Sequence, residues 1–133
     1  MKFFITYIVT VPVFFIIDML WLGVIAKPIY AKYLGYIMAE NIKWGSAITF
    51  YLLFILGLVF FAINPGLEAG SFWKAVFLGA LFGFFTYMTY ELTNHAIIRD
   101  WPWQIVIIDI VWGIVLGGIV SGLGYYFTNL IIK

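Results

Sequence analysis

The chain has 133 residues, 65% hydrophobic and only 10% charged, with a formal charge of +1 and no cysteine. Soluble domains carry about 25% charged residues, so this chain lacks the polar residues to cover a water-facing surface. The missing cysteine excludes disulfides, thiolate metal sites and a cysteine nucleophile, and the lack of any basic cluster argues against nucleic acid as a partner.

A bilayer core about 30 Å thick is crossed by roughly 20 apolar residues in a helix. Four stretches meet that requirement, at about residues 3–26, 46–63, 72–93 and 104–127. They consume most of the chain. The expectation is therefore one domain, residues 1–133: an all-α, antiparallel bundle of four transmembrane helices with both termini on one side. The first run follows Lys2 and could be mistaken for a signal peptide. It is longer than a signal core of about 7–15 residues, contains Asp18 and ends in Ala26-Lys27-Pro28, so it reads as a retained first helix.

The first connection, Lys27 to Gly45, is the longest polar segment. Ile29, Tyr30, Tyr33, Leu34, Ile37 and Met38 recur at helical spacing, with Lys32, Ala39 and Lys43 opposite. That pattern predicts a short amphipathic helix lying in the headgroup region, a structural element anchored by its tyrosines. The other connections are tight. Asn64-Pro65-Gly66 through Gly70 is expected to end the second helix, and Arg99-Asp100-Trp101-Pro102-Trp103 turns the chain between the third and fourth. Short turns make successive helices antiparallel neighbours.

Small residues recur every four positions in two spans: Ala75, Gly79 and Gly83 in the third, and Gly113, Gly117 and Ser121 in the fourth. Such stripes let helix backbones approach closely where lipid offers no hydrophobic force. Close packing within the bundle is the expected use, and a homodimer through the same faces is the alternative. Lys2, Lys74 and Lys133 face one side, with Lys27, Lys32, Lys43 and Arg99 on the other. The slight excess turns the second side toward the cytoplasm, although the balance is too even for the positive-inside rule to set orientation strongly. An Asp-x-x-Trp pattern occurs at Asp18–Trp21 and again at Asp109–Trp112. A duplicated helix pair would match the first helix with the third, so the pattern reads as chance similarity.

Three of the six acidic residues lie inside apolar spans: Asp18, Glu91 and Asp109. A carboxyl group at mid-span is costly, so it tends to face the bundle interior and to serve a function. Asp18 lies eight residues before Ala26, Glu91 eight before Arg99, and Asp109 eight after Trp101. With the chain alternating direction, all three are expected about 12 Å below the same membrane face. Three carboxylates at one depth repel, so protons, a cation or hydrogen bonds must relieve them. Candidate partners and pocket residues are Trp21, Tyr87, Tyr90, Asn94 and Trp112, several of them three or four residues from a carboxyl and so on the same helix face. Interhelical hydrogen bonds alone would be the structural reading. Three at one level favour a cavity. His95, four residues past Glu91, suggests a metal ligand, but a second histidine and any cysteine are missing, so no metal site and no cofactor are expected.

The segments Tyr87-Met88-Thr89-Tyr90-Glu91-Leu92-Thr93-Asn94, Trp101-Pro102 and Asp109-Ile110-Val111-Trp112-Gly113 resemble the signature of a bacterial membrane family, domain of unknown function 2177. Asp18-Met19-Leu20-Trp21-Leu22-Gly23, Lys27-Pro28-Ile29-Tyr30, Leu34-Gly35 and Phe50-Tyr51-Leu52-Leu53 resemble it too, so the likeness covers essentially the whole chain. The family has Asp where this chain has Glu91, which keeps the carboxyl and lengthens its reach. It usually has an apolar residue at the position of His95, which weakens a metal role further. The resemblance implies a four-span protein of the bacterial cytoplasmic membrane with no established activity to carry over, and association of its members with lipid-modification genes suggests lipid chemistry.

Together these features lead to an intramembrane site that binds or helps to modify a lipid-like molecule, with membrane lipid as the partner. Asp18, Glu91 and Asp109 would supply protonatable groups, shaped by Trp21, Tyr87, Tyr90, Asn94 and Trp112. A proton-coupled transporter acting as a homodimer and a non-catalytic scaffold subunit are the alternatives.

Overall fold

The computed structural model describes residues 1–132. Lys133, counted above with Lys2 and Lys74, lies outside them. Helix α1 (Lys2–Leu20) runs on through a π-helical turn at Trp21–Ile25, and a short α2 (Lys27–Leu34) follows at once. Helix α3 (Trp44–Leu58) continues through a second π turn, Val59–Ile63, into α4 (Asn64–Ala69); α5 (Phe72–Ile97) and α6 (Trp103–Ile132) complete the chain. Four continuous rods result, Lys2–Ile25, Trp44–Ala69, Phe72–Ile97 and Trp103–Ile132, each long and apolar enough to cross a membrane.

Outward faces carry large exposed side chains such as Phe4, Ile16, Phe60, Trp73, Phe77 and Ile131. A water-soluble protein rarely exposes so continuous an apolar surface, and lipid is its natural solvent. The chain is an integral membrane four-helix bundle.

Within the Asn64–Gly70 segment expected to end it, the second rod runs on through Asn64-Pro65-Gly66 and stops only at the last residue. Pro65 has no N–H to donate, but the wide turn just before it, closed by the Asn64 N–H on the Val59 carbonyl, lets the helix pass through with Pro65 in the first turn of α4. The true end is Gly70, at φ +64°. Its N–H bonds the Leu67 carbonyl at 3.2 Å and the Ser71 N–H bonds that of Gly66 at 2.9 Å, the paired bonds of a Schellman turn. Ser71 then caps α5, its hydroxyl accepting from the Lys74 N–H at 3.1 Å. A Cβ at position 70 would meet no atom within 4 Å, so Gly70→Ala isolates the conformational cost. We expect it to lower stability by about 1–2 kcal/mol, read from thermal melts in detergent; an unchanged melt would show that the left-handed turn does not set this helix end.

The two small-residue stripes pack on each other within one chain. A Cβ on Gly83 would collide with the Gly113 carbonyl, and one on Gly79 with the Gly117 carbonyl and the Ser121 hydroxyl. Backbone thus lies directly on backbone along the α5–α6 seam. Around it, Phe14, Phe54, Ile55, Leu58, Ile63, Leu116 and Val120 form the buried core. Five threonine hydroxyls inside the rods satisfy themselves locally. Thr6, Thr10, Thr49, Thr86 and Thr89 each donate to the carbonyl four residues back, at 2.6–2.9 Å.

Candidate functional site

Above the core the bundle opens. Helix α5 packs closely on the lower part of the second rod, Val59–Ala69, whereas the backbone of α3 leans away from it. The gap becomes a cavity of about 490 Å³, lined by residues of α1, α2, α3, α5 and α6. Its walls are mostly aromatic and aliphatic, including Leu22, Phe50 and Phe54. The exposed side chains Met38, Phe50 and Tyr90 also line it, so its mouth faces the flank of the bundle where α3 and α5 diverge.

Asp18, Glu91 and Asp109 all line this one cavity, together with Trp21, Tyr87, Tyr90 and Trp112. The three carboxyl residues are almost completely buried. Asn94 does not line it. One turn, about 5 Å, nearer the end of α5, it is half-buried beyond the layer where Trp101 covers Glu91. His95 is exposed near the end of α5. Among the described residues, no three acidic or imidazole groups converge tightly enough to hold a metal ion.

Each carboxyl has a different environment. Glu91 accepts a hydrogen bond from the Trp101 indole N–H at 2.9 Å and faces Asp109. Asp109 accepts from the Tyr30 hydroxyl, which itself receives the Trp21 indole N–H at 3.4 Å. Burial and the facing Asp109 carboxyl push the Tyr30 hydroxyl well above its ordinary value, so Tyr30 stays a donor. Asp18, from α1, has Tyr51 and Trp112 turned toward it, but neither completes a hydrogen bond of good geometry.

The two Asp-x-x-Trp segments meet here. Trp21 and Trp112 stack face to face, ring centroids 4.3 Å apart and planes 8° from parallel. The π turn beginning at Trp21 shifts its side chain relative to the regular helix that carries Asp18, a use for which such turns are known. What reads as chance similarity in the sequence is a packed pair in space, still without implying a duplication.

Helix α2 is the short amphipathic helix expected between the first two spans. Its apolar face, Ile29, Tyr30, Tyr33 and Leu34, packs on Trp101, Ile105 and Val106. The Tyr36 hydroxyl ties the following turn to the Asp100 carbonyl at 2.6 Å. The segment is a roof over the cavity, and Tyr30 is the group it delivers. Tyr30, Tyr51 and Trp101 also line the site, where sequence reasoning did not place them. The available signal was Pro28, which starts a new helix immediately after α1 and folds the chain back over the bundle.

No curated protein and no solved structure matches the chain. The family model described as "Predicted membrane protein (DUF2177)" matches residues 3–126. That match spans nearly all of the chain and every wall of the cavity: the protein belongs to the DUF2177 family of membrane proteins.

Proposed function

We propose that this protein, in the bacterial cytoplasmic membrane, takes a lipid-like molecule from the bilayer into the cavity and binds or helps to modify it there. The observation that carries this reading is the cavity itself: an apolar chamber of about 490 Å³ open toward the flank of the bundle, with its polar groups gathered on the inner walls. Largely apolar clefts of this size with a few convergent polar groups are the usual form of small-molecule sites. An apolar chain would lie along Phe50, Phe54 and Leu22, and its polar end would reach Asp18, Glu91 and Asp109. The facing carboxyls of Glu91 and Asp109 can hold a proton in common and hand it on. Trp101 and Tyr30 orient them from the roof. Tyr87 and Trp112 close the inner wall, and Tyr90 stands at the mouth.

Native mass spectrometry of the full chain, extracted from its membrane in mild detergent, tests the binding part. A lipid-mass adduct is expected on the wild type. Ala47→Trp, which fills the cavity from α3, should reduce its occupancy at least about tenfold, a difference of ~1.4 kcal/mol. An adduct equally abundant on both proteins, or absent from the wild type, rejects the reading.

A further inference from the structure

Cavity polar groups fall into two sets. Glu91 and Asp109 already have donors, in Trp101 and Tyr30. Two other groups, the Asp18 carboxyl and the Trp112 indole N–H, fall short of a hydrogen bond of good geometry. Asp18 is only 4% exposed and accepts no well-formed hydrogen bond among the described residues, although the Tyr51 hydroxyl is turned toward it. The Trp112 indole N–H, held by its stack on Trp21, is buried and donates to nothing. Both residues line the cavity, and Trp112 is among the groups turned toward the Asp18 carboxyl. One is an acceptor and the other a donor. Buried polar groups in folded proteins are almost always satisfied, so a donor and an acceptor left short of a good bond beside a cavity mark where an occupant's polar group can complete them.

The lining narrows the chemistry. It contains no Lys, Arg or His, so a phosphate or carboxylate head would bring negative charge to three acids with no cation to meet it. An ammonium head could donate to Asp18 but has no lone pair for the Trp112 N–H. A hydroxyl does both through one oxygen, donating its proton to the carboxyl and accepting from the indole.

We infer that the cavity recognises the free hydroxyl of an uncharged amphiphile, bridged between the Asp18 carboxyl and the Trp112 indole N–H. This rests on the reading that the cavity holds a bilayer-derived ligand. It adds which head group is selected and which two residues select it. A resident water could make the same two bonds, and would confer no such selection.

Three probes with the same chains separate these outcomes: dioctanoylglycerol, with one free hydroxyl; its acetyl ester, with that hydroxyl capped; and dioctanoyl phosphatidic acid. Binding to the full-length protein in detergent would be measured by equilibrium dialysis, with the Ala47→Trp variant as the blocked control. The free alcohol should bind at least about tenfold tighter than either derivative, as expected when a polar site loses the group it was built to meet. Trp112→Phe preserves the ring stack and removes the N–H. It should weaken binding of the free alcohol about tenfold, the loss expected when a buried hydrogen-bond partner is removed, with an unchanged thermal melt in detergent reporting that the variant is folded. Asp18→Leu, removing the acceptor, should do the same. Equal binding of the alcohol and its ester, with both blocked by Ala47→Trp, overturns the hydroxyl assignment and leaves the ligand site standing. Probes that bind wild type and the blocked variant alike overturn both.

Discussion

Gly83→Leu is expected to destroy the bundle. At this position a Cβ would run into the Gly113 carbonyl, and the next atom it would meet is the Gly113 carbonyl carbon at 2.7 Å. Both belong to backbone, which cannot swing aside as a flexible side chain does. Accommodating leucine requires α5 and α6 to separate along the seam where Gly79 and Gly117 are in the same close contact. Overpacking a core usually costs about 1–3 kcal/mol, and a backbone-to-backbone seam should exceed the upper end of that range. The built-in control is Gly118→Ala on the same helix, where the new Cβ would find its nearest neighbour, the Ala80 Cβ, at 3.6 Å. That variant should be nearly neutral. Thermal melts and gel filtration in detergent decide the matter: equal melting of the two variants would mean that the seam does not hold the bundle together.

Asp109 separates a working site from a structural hydrogen bond. Asparagine keeps the size of aspartate and an acceptor for the Tyr30 hydroxyl, so Asp109→Asn should melt within about 1 kcal/mol of wild type, the worth of an ordinary hydrogen bond. It cannot share or transfer a proton with Glu91. If the pair performs acid–base work on the bound molecule, activity should fall by about 10²–10⁴, read as loss of complementation in the host's lipid profile. Asp109→Leu removes the acceptor as well and strands the Tyr30 hydroxyl, a loss of about 1–3 kcal/mol felt first as loosening of α2. Full complementation by Asp109→Asn would leave the carboxyl as a helix-locking group and favour the scaffold alternative.

Residue types on the helices were far more legible than their neighbours. Asp18, Glu91 and Asp109 could be placed at a common level by counting residues from the turns, because helical rise is uniform. Their partners could not. Tyr30 reads as an interfacial anchor by composition, and only the backward fold of α2 shows that it bonds Asp109. The small-residue stripes announced close approach, but two helices of one chain and two copies of it satisfy that pattern equally well in sequence. The second rod runs through Asn64-Pro65-Gly66 for a local reason. Turn propensity describes the average chain, whereas here a π turn absorbs the proline.

From the sequence by itself come the membrane class, the four spans and the presence of three costly carboxyls within them. Hydrophobic run length and the penalty for burying charge act on each helix separately, before any helix meets another. Tertiary structure alone decided that α3 diverges from α5 to open a cavity, that α2 roofs it, and that Trp21 stacks on Trp112 beside Asp18. Those outcomes depend on the angles at which helices pack and on which side chains meet across them. Both are set by contacts between residues far apart in the chain, which periodicity along a single helix does not encode.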